Sequence, residues 1–275
     1  YNYDRVISYN AFLNFLIGER GVGKTFGASE FVTRQFIKKG HEFVYLRRYS
    51  TELETAVPKF FDEIIENDEF PDHTFKIKKN KRLSTFMIDG KVAGYAVPLS
   101  TSVILKSTSF AKVRTIIFDE FIIDRGTYHY LTSECEKFLD LIETIGRLRD
   151  IRVFCLANAI SISNPYFDYF NMTIPYNSEF KVCKRDKNGN PLIMINYIKN
   201  EKYRAAKRES RFGQLIDGTE YGTYAIDNEF LRDDSTFIEK RPSHCKQYST
   251  INVNNHDYGV WRDHKNEMIY VSKDF

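Results

Sequence analysis

Apolar residues recur along this chain in short runs, each stopped by glycine, a charge or an amide, and the runs alternate with stretches of helical spacing. Phe12 to Ile17 is one such run and predicts a buried strand ending at Gly18. Thr25 to Lys39 then predicts a helix. His41 to Leu46 predicts a second strand, stopped by Arg47-Arg48. In Thr51 to Asn67, Leu53, Val57, Phe60, Phe61, Ile64 and Ile65 share one helical face, with Pro58 as a kink or break. Short strands are expected at Phe75 to Ile77 and Leu83 to Ile88, and Asp89-Gly90 turns the chain into Val92 to Val97. Val113 to Phe118 and Arg152 to Leu156 are two more core strands, on either side of a helix at Cys135 to Ile145. Alternating strands and helices of this kind predict an α/β fold with a mostly parallel sheet. Ligands of such sheets bind at the carboxyl ends of the strands, where Gly18, Asp119 and Asn158 fall.

The pattern changes after about residue 178. Phe180 to Cys183 and Leu192 to Tyr197 flank the turn-rich Asp186-Lys187-Asn188-Gly189-Asn190, a hairpin signal. Lys199 to Arg211 is charged and helical. Beyond it Phe237 to Glu239, Tyr248 to Val253, Tyr258 to Arg262 and Met268 to Val271 read as strands of a small β-rich module.

Composition narrows this little. The 275 residues include 42% hydrophobic residues, enough for a sizeable core, with 23 Phe and 18 Tyr. A net charge of +3 permits a nucleic-acid partner without arguing for one. Cys135, Cys155, Cys183 and Cys245 are far apart and include no C-x-x-C, so neither a zinc site nor a disulfide framework is suggested; no histidine group has metal-ligand spacing. A reducing cytoplasm is expected, and no apolar run is long enough to span a membrane. The chain begins at Tyr1 rather than Met, so residues before it are expected.

The chemistry concentrates in Gly18-Glu19-Arg20-Gly21-Val22-Gly23-Lys24-Thr25, which matches G-x-x-x-x-G-K-[ST] between a strand and a helix. Glycines let backbone N–H groups wrap a phosphate at a helix N-terminus. Lys24 would reach the β/γ phosphates of ATP and the Thr25 hydroxyl would bind Mg²⁺. A strand-to-helix turn without ligand fits the pattern too, but a lysine facing bare N–H groups would cost energy without an anion. Ile116-Ile117-Phe118 ends in Asp119-Glu120, suited to hold Mg²⁺ and to act as general base on water. Such a pair alone often just opens a loop; some 95 residues beyond a phosphate loop it points to ATP hydrolysis. Asn158 can sense the γ-phosphate or position water, or simply open a turn. Arg147, Arg149 and Arg152 follow a helix; one could reach a neighbouring subunit's γ-phosphate, or all three could form a solvated basic turn. Arg20, inside the loop, reads as a contact to phosphate or to a neighbouring subunit. Lys76, Lys78, Lys79, Lys81 and Arg82 form a basic hairpin, and Lys199, Lys202, Arg204, Lys207, Arg208 and Arg211 a basic helix; each is a nucleic-acid candidate or a solvated face.

These residues, with others, resemble the DNA-packaging (encapsidation) ATPases of small tailed phages of the phi-29 type. The likeness rests on Asn14 to Gly18 leading into the phosphate loop, Phe43-Val44-Tyr45-Leu46-Arg47-Arg48-Tyr49, Ile117 to Phe121, Cys155 to Ala159, Asn164-Pro165-Tyr166-Phe167, Arg211 to Gly222, Phe237 to Arg241 and Gly259-Val260-Trp261. It covers almost the whole chain, and Arg211 to Gly222 is its most specific segment. The resemblance implies an additional-strand, catalytic-glutamate P-loop ATPase domain (1–198), a helical linker (199–234), and the start of a vestigial ribonuclease-H-like domain (235–275). It implies a pentameric ring at the portal vertex of the prohead in the bacterial host, absent from the mature virion. That ring binds a packaging RNA and drives double-stranded DNA. By position Arg147 matches a trans-acting arginine finger, and Lys106 a lysine at the subunit interface. The family's nuclease-like fold would continue past Phe275, so the second domain is expected to be incomplete. Tyr248 to Asn255 offers no acidic residue, so no nuclease activity is expected. Rival readings are another ring-forming translocase or helicase, and a nucleotide-dependent structural clamp at the portal. A P-loop kinase is disfavoured, since no acceptor-binding signature or lid motif is visible.

Overall fold

Three apolar strands, β1 (Leu13–Gly18), β6 (Val113–Asp119) and β7 (Arg152–Asn158), form the centre of the computed structural model. It describes residues 1, 3–79, 83–107, 109–123, 129–158, 164–175, 178–198, 200–219, 222, 241–253 and 256–272. Contacts divide the chain into two units, Tyr1–Leu231 and Arg232–Phe275.

The first unit is built on a nine-stranded sheet in the order β3-β4-β5-β2-β6-β7-β1-β9-β8. Here β2 is Glu42–Arg47, β3 Phe75–Lys78, β4 Ser84–Ile88, β5 Lys91–Pro98, β8 Phe180–Arg185 and β9 Pro191–Ile198. Strands β5, β2, β6, β7, β1 and β9 run parallel, while β3, β4 and β8 are antiparallel additions at the edges. The central strands are apolar on both faces because both are covered. Ile116 and Phe118 of β6 enter one core cluster and Ile117 the other; Val153 and Cys155 of β7 alternate with Phe154 and Leu156 in the same way. Burial of Phe118 is complete; truncating such a phenylalanine to alanine costs about 3–5 kcal/mol.

Helices α1 (Tyr3–Ser8), α2 (Lys24–Lys39), α3 (Ser50–Ala56) and α4 (Asp62–Glu66) contribute to one cluster, and α5 (Glu134–Gly146) and α6 (Pro165–Phe170) to the other. The stretch read as one helix over Thr51 to Asn67 is broken by a 3-10 turn at Val57–Lys59, where Pro58 cannot supply an N–H. The abundant aromatics have a place here. Phe60 packs on Phe86 at 4.4 Å and on Phe43 at 5.3 Å between ring centroids, closing the core beneath α3 and α4.

The hairpin over 180–198 joins the main sheet, β9 pairing in parallel with β1. Where one charged helix is expected to Arg211, there are two: α7 (Glu201–Glu209) and α8 (Arg211–Ile216). Ser210 separates them, because its extended backbone ends the first and its Oγ caps the second by accepting the Gly213 N–H at 3.0 Å. Among the described residues the second unit is an antiparallel meander of β10 (Lys246–Val253), β11 (His256–Asp263) and β12 (Met268–Ser272). The expected strand at Phe237 to Glu239 lies outside the described residues.

Candidate functional site

Strand register brings the site together. Gly18 pairs with Asn158 across β1 and β7, and Asp119 with Leu156 across β6 and β7, so three strands end at one level. At their carboxyl ends lies a cleft of about 270 Å³, lined by Arg20, Gly21, Gly23, Lys24, Thr25, Phe26, Glu63, Asp119, Glu120, Ala157 and Asn158. The loop can bend into it because Gly21 and Gly23 take φ of +89° and +81°, which residues with a Cβ adopt only under strain. Gly23 also caps α2. Val22 turns away and packs on the core.

Lys24 is 7% exposed. Its ammonium donates to the carbonyls of Gly18 (2.9 Å) and Glu19 (2.7 Å) and to Asn158 Oδ1 (3.3 Å). Loop carbonyls, rather than the bare N–H groups considered from the sequence, face the ammonium here. Burial lowers its pKa to about 8, although Asp119 and Glu19 pull the other way. The Thr25 hydroxyl lies 3.3 Å from Asp119 Oδ1. A hydroxyl and a carboxylate presented together at a phosphate loop suit a magnesium ion, which favours hard oxygen donors.

Arg47, at the end of β2, is a site residue whose role sequence reasoning missed. Its guanidinium bonds Asp119 Oδ2 at 3.0 Å and Glu120 Oε2 at 2.5 Å. Burial opposes its charge, but Asp119, Tyr45 and Glu120 hold its pKa above the ordinary value. Tyr45 donates its hydroxyl to Asp119 Oδ2 at 2.8 Å, and burial and that carboxylate push its pKa up. Glu120 is 55% exposed and left-handed, with φ +57°. Arg48, which follows Arg47, is 1% exposed and bidentate to the buried Glu134 at 2.7 and 2.8 Å. It also donates to the carbonyls of Phe121 (2.7 Å) and Glu120 (3.3 Å), fixing the backbone behind the candidate base. The advance signals were a cation pair ending an apolar run and its place in the Phe43 to Tyr49 segment of the resemblance.

The other expected residues scatter. Arg147, the C-cap of α5, is exposed, does not line this cleft, and sits at φ +51° beside the fully exposed Leu148. Arg149 and Arg152 are engaged within the fold: Arg149 donates to the carbonyls of Phe110 and Ile145, and Arg152 to Asn10 Oδ1 at 2.6 Å. Lys106 falls in the 3-10 segment Leu99–Ser107, its side chain outside the described residues. Lys76, Lys78 and Lys79 are exposed on or beside edge strand β3; Lys81, Arg82 and Lys199 lie outside the described residues. On α7, Lys202 and Arg208 are exposed, whereas Arg204 and Lys207 are half-buried. In the second unit the fold gathers His244, Cys245 and Asp263, a set the sequence spacing did not suggest. Asp263 is spent on its turn, accepting the N–H groups of Lys265 (2.9 Å) and Asn266 (3.1 Å).

Comparison with known proteins identifies a family. The model of the Podovirus DNA encapsidation protein (Gp16) family matches residues 1–275. The DNA packaging protein of Bacillus phage B103 is 40% identical over 270 residues, covering 98% of this chain and 80% of that protein. That of Bacillus phage phi29 is 39% identical over 272 residues, covering 98% and 78%. The crystal structure of the N-terminal domain of the phi29 DNA packaging ATPase aligns with TM-score 0.65 and 38% identity, covering 74% of this chain and 98% of that one. The phi-29 viral genome packaging motor assembly aligns with TM-score 0.68 and 38% identity over 100% and 80%.

Proposed function

This chain belongs to the Podovirus DNA encapsidation protein (Gp16) family and is a viral genome-packaging motor ATPase; from that premise we propose how its residues divide the work. One observation carries the assignment: Lys24, Thr25, Asp119, Glu120 and Asn158 meet in one cleft at the ends of adjacent parallel strands. With β7 between the phosphate-loop strand and the Asp119–Glu120 strand, the order supports the additional-strand, catalytic-glutamate class.

The Gly18–Thr25 loop and Lys24 bind the triphosphate of ATP, the ammonium exchanging loop carbonyls for phosphate oxygens. Thr25 and Asp119 would hold a magnesium ion, which supplies charge neutralisation at the β and γ phosphates. Asn158 orients Lys24 and can sense the γ-phosphate. Glu120 takes the proton of the attacking water, for which its carboxylate must leave Arg47. Arg47 thus restrains the base in this structure. Arg147 supports a finger acting on the next subunit's nucleotide, since it is exposed on a turn outside its own cleft, next to an exposed leucine. Arg20 and Lys106 belong to the same contact in this reading.

In this proposal copies of the chain form a ring, five by the family resemblance, at the portal vertex of the prohead in the host cytoplasm. Hydrolysis there moves double-stranded DNA, with a packaging RNA as the scaffold the resemblance implies. Exposed Lys76, Lys78, Lys79, Lys202 and Arg208 are the described candidates for the DNA backbone. The helices after residue 199 act as a linker, and the meander belongs to a vestigial ribonuclease-H-like domain in this reading. No described helix is long and apolar enough to cross a membrane.

Glu120→Gln tests the assignment. Phosphate release with proheads and DNA should stop while ATP affinity stays within about threefold, as expected for a group acting only in the chemical step. Wild-type turnover in that variant removes Glu120 from the mechanism. Wild-type protein that binds ATP but never releases phosphate in response to DNA is a clamp rather than a motor.

A further inference from the structure

The basic helix α7 rests one face on the phosphate loop. A Cβ on Gly21 would sit 2.5 Å from the Tyr203 hydroxyl. Arg204 Nε pairs with Glu19 Oε1, the two side chains being 14% and 1% exposed. Lys207, one turn on, places its ammonium 5.8 Å from the Tyr203 ring centroid. Neither composition nor helical spacing distinguishes this face from that of Lys202 and Arg208.

Glu19 is a misfit for an anion-binding loop. It occupies the first variable position after Gly18, its carboxylate is buried, and its Oε2 has no hydrogen-bond partner among the described residues. Its own backbone carbonyl accepts from the Lys24 ammonium at 2.7 Å. A buried carboxylate there would repel a triphosphate and draw on the cation meant for it, unless another cation neutralises it.

We propose that Arg204 is a positioning residue of the phosphate loop: it engages the Glu19 carboxylate so that the Lys24 charge stays available to phosphate, and it ties α7 to the loop. This deepens the proposed function and rests on it.

The test is calorimetric titration of the full chain with Mg·ATP in the Glu120→Gln background, which prevents turnover. Arg204→Ala should weaken binding about tenfold or more, the scale of one charge acting across a partly screened site. Adding Glu19→Gln to it should restore most of the affinity, because the orphaned charge is gone. A helix that merely braces the loop gives no such rescue. Unchanged affinity in Arg204→Ala, or equal loss in Arg204→Ala and its Glu19→Gln double variant, overturns the inference. Should Arg204→Ala fail to fold, Glu19→Gln with Arg204→Gln removes both charges at similar shape; affinity within about threefold of the reference is expected, and a tenfold loss overturns the inference. If the reference protein binds no Mg·ATP, the proposed function falls and this inference with it.

Discussion

Replacing Arg48 with methionine should destabilise the protein and slow hydrolysis through separable causes. The change removes two bonds to Glu134 at 2.7 and 2.8 Å and one to the Phe121 carbonyl at 2.7 Å. It leaves the fully buried Glu134 carboxylate without its cation. Breaking one side of such a pair costs about 3–5 kcal/mol. Tyr166 (2.5 Å) and the Leu131 N–H (2.7 Å) still donate to Glu134, which places the cost near the lower end, about 3 kcal/mol. At roughly 2–4 °C per kcal/mol for a chain of this size, Tm should fall by about 6–12 °C. Arg48→Met with Glu134→Leu should recover most of that, since an apolar pair of similar volume is often neutral. Turnover should not recover, because the carbonyl of Glu120 has lost its anchor in both variants. Scanning calorimetry and steady-state phosphate release on the same preparations separate the two effects. A single variant within 2 °C of wild type, on the scale of about 2–4 °C per kcal/mol, refutes the claim that this ion pair holds the loop.

Two further outcomes follow from the site. The Lys24 pKa is lowered from 10.5 to about 8, so between these values the unfolded chain binds more protons than the folded one. The burial penalty is fully present below about pH 8 and relieved above it, while ATP, which needs the ammonium, should bind more weakly as pH rises through about 8. Titrations in buffers of different ionisation enthalpy near that pH should show net proton uptake, and a flat affinity profile with no uptake refutes the burial argument. Arg147→Ala should cut turnover of the assembled motor by about 10³-fold or more with little change in ATP affinity. Mixing it with wild type should inhibit beyond simple dilution, and wild-type turnover of the pure variant removes Arg147 from the chemistry.

The sequence by itself determined the parts that depend on neighbours along the chain. A strand, a glycine loop and a helix must follow one another in Leu13 to Lys39, because run length, φ-permissive glycines and helical spacing are local properties. Asp119 and Glu120 were legible for the same reason, as charges ending an apolar run. Tertiary structure alone decided which cation meets which carboxylate. Arg47 reaches Asp119 because β2 pairs beside β6, Arg48 reaches Glu134 across 86 positions, and Arg204 reaches Glu19 across 185. It also set Arg147 in the open while Arg149 bonds the Phe110 carbonyl and Arg152 reaches Asn10 across 142 positions. Ion pairs act over a few ångströms, and only strand order and register bring residues so far apart in the chain to that range.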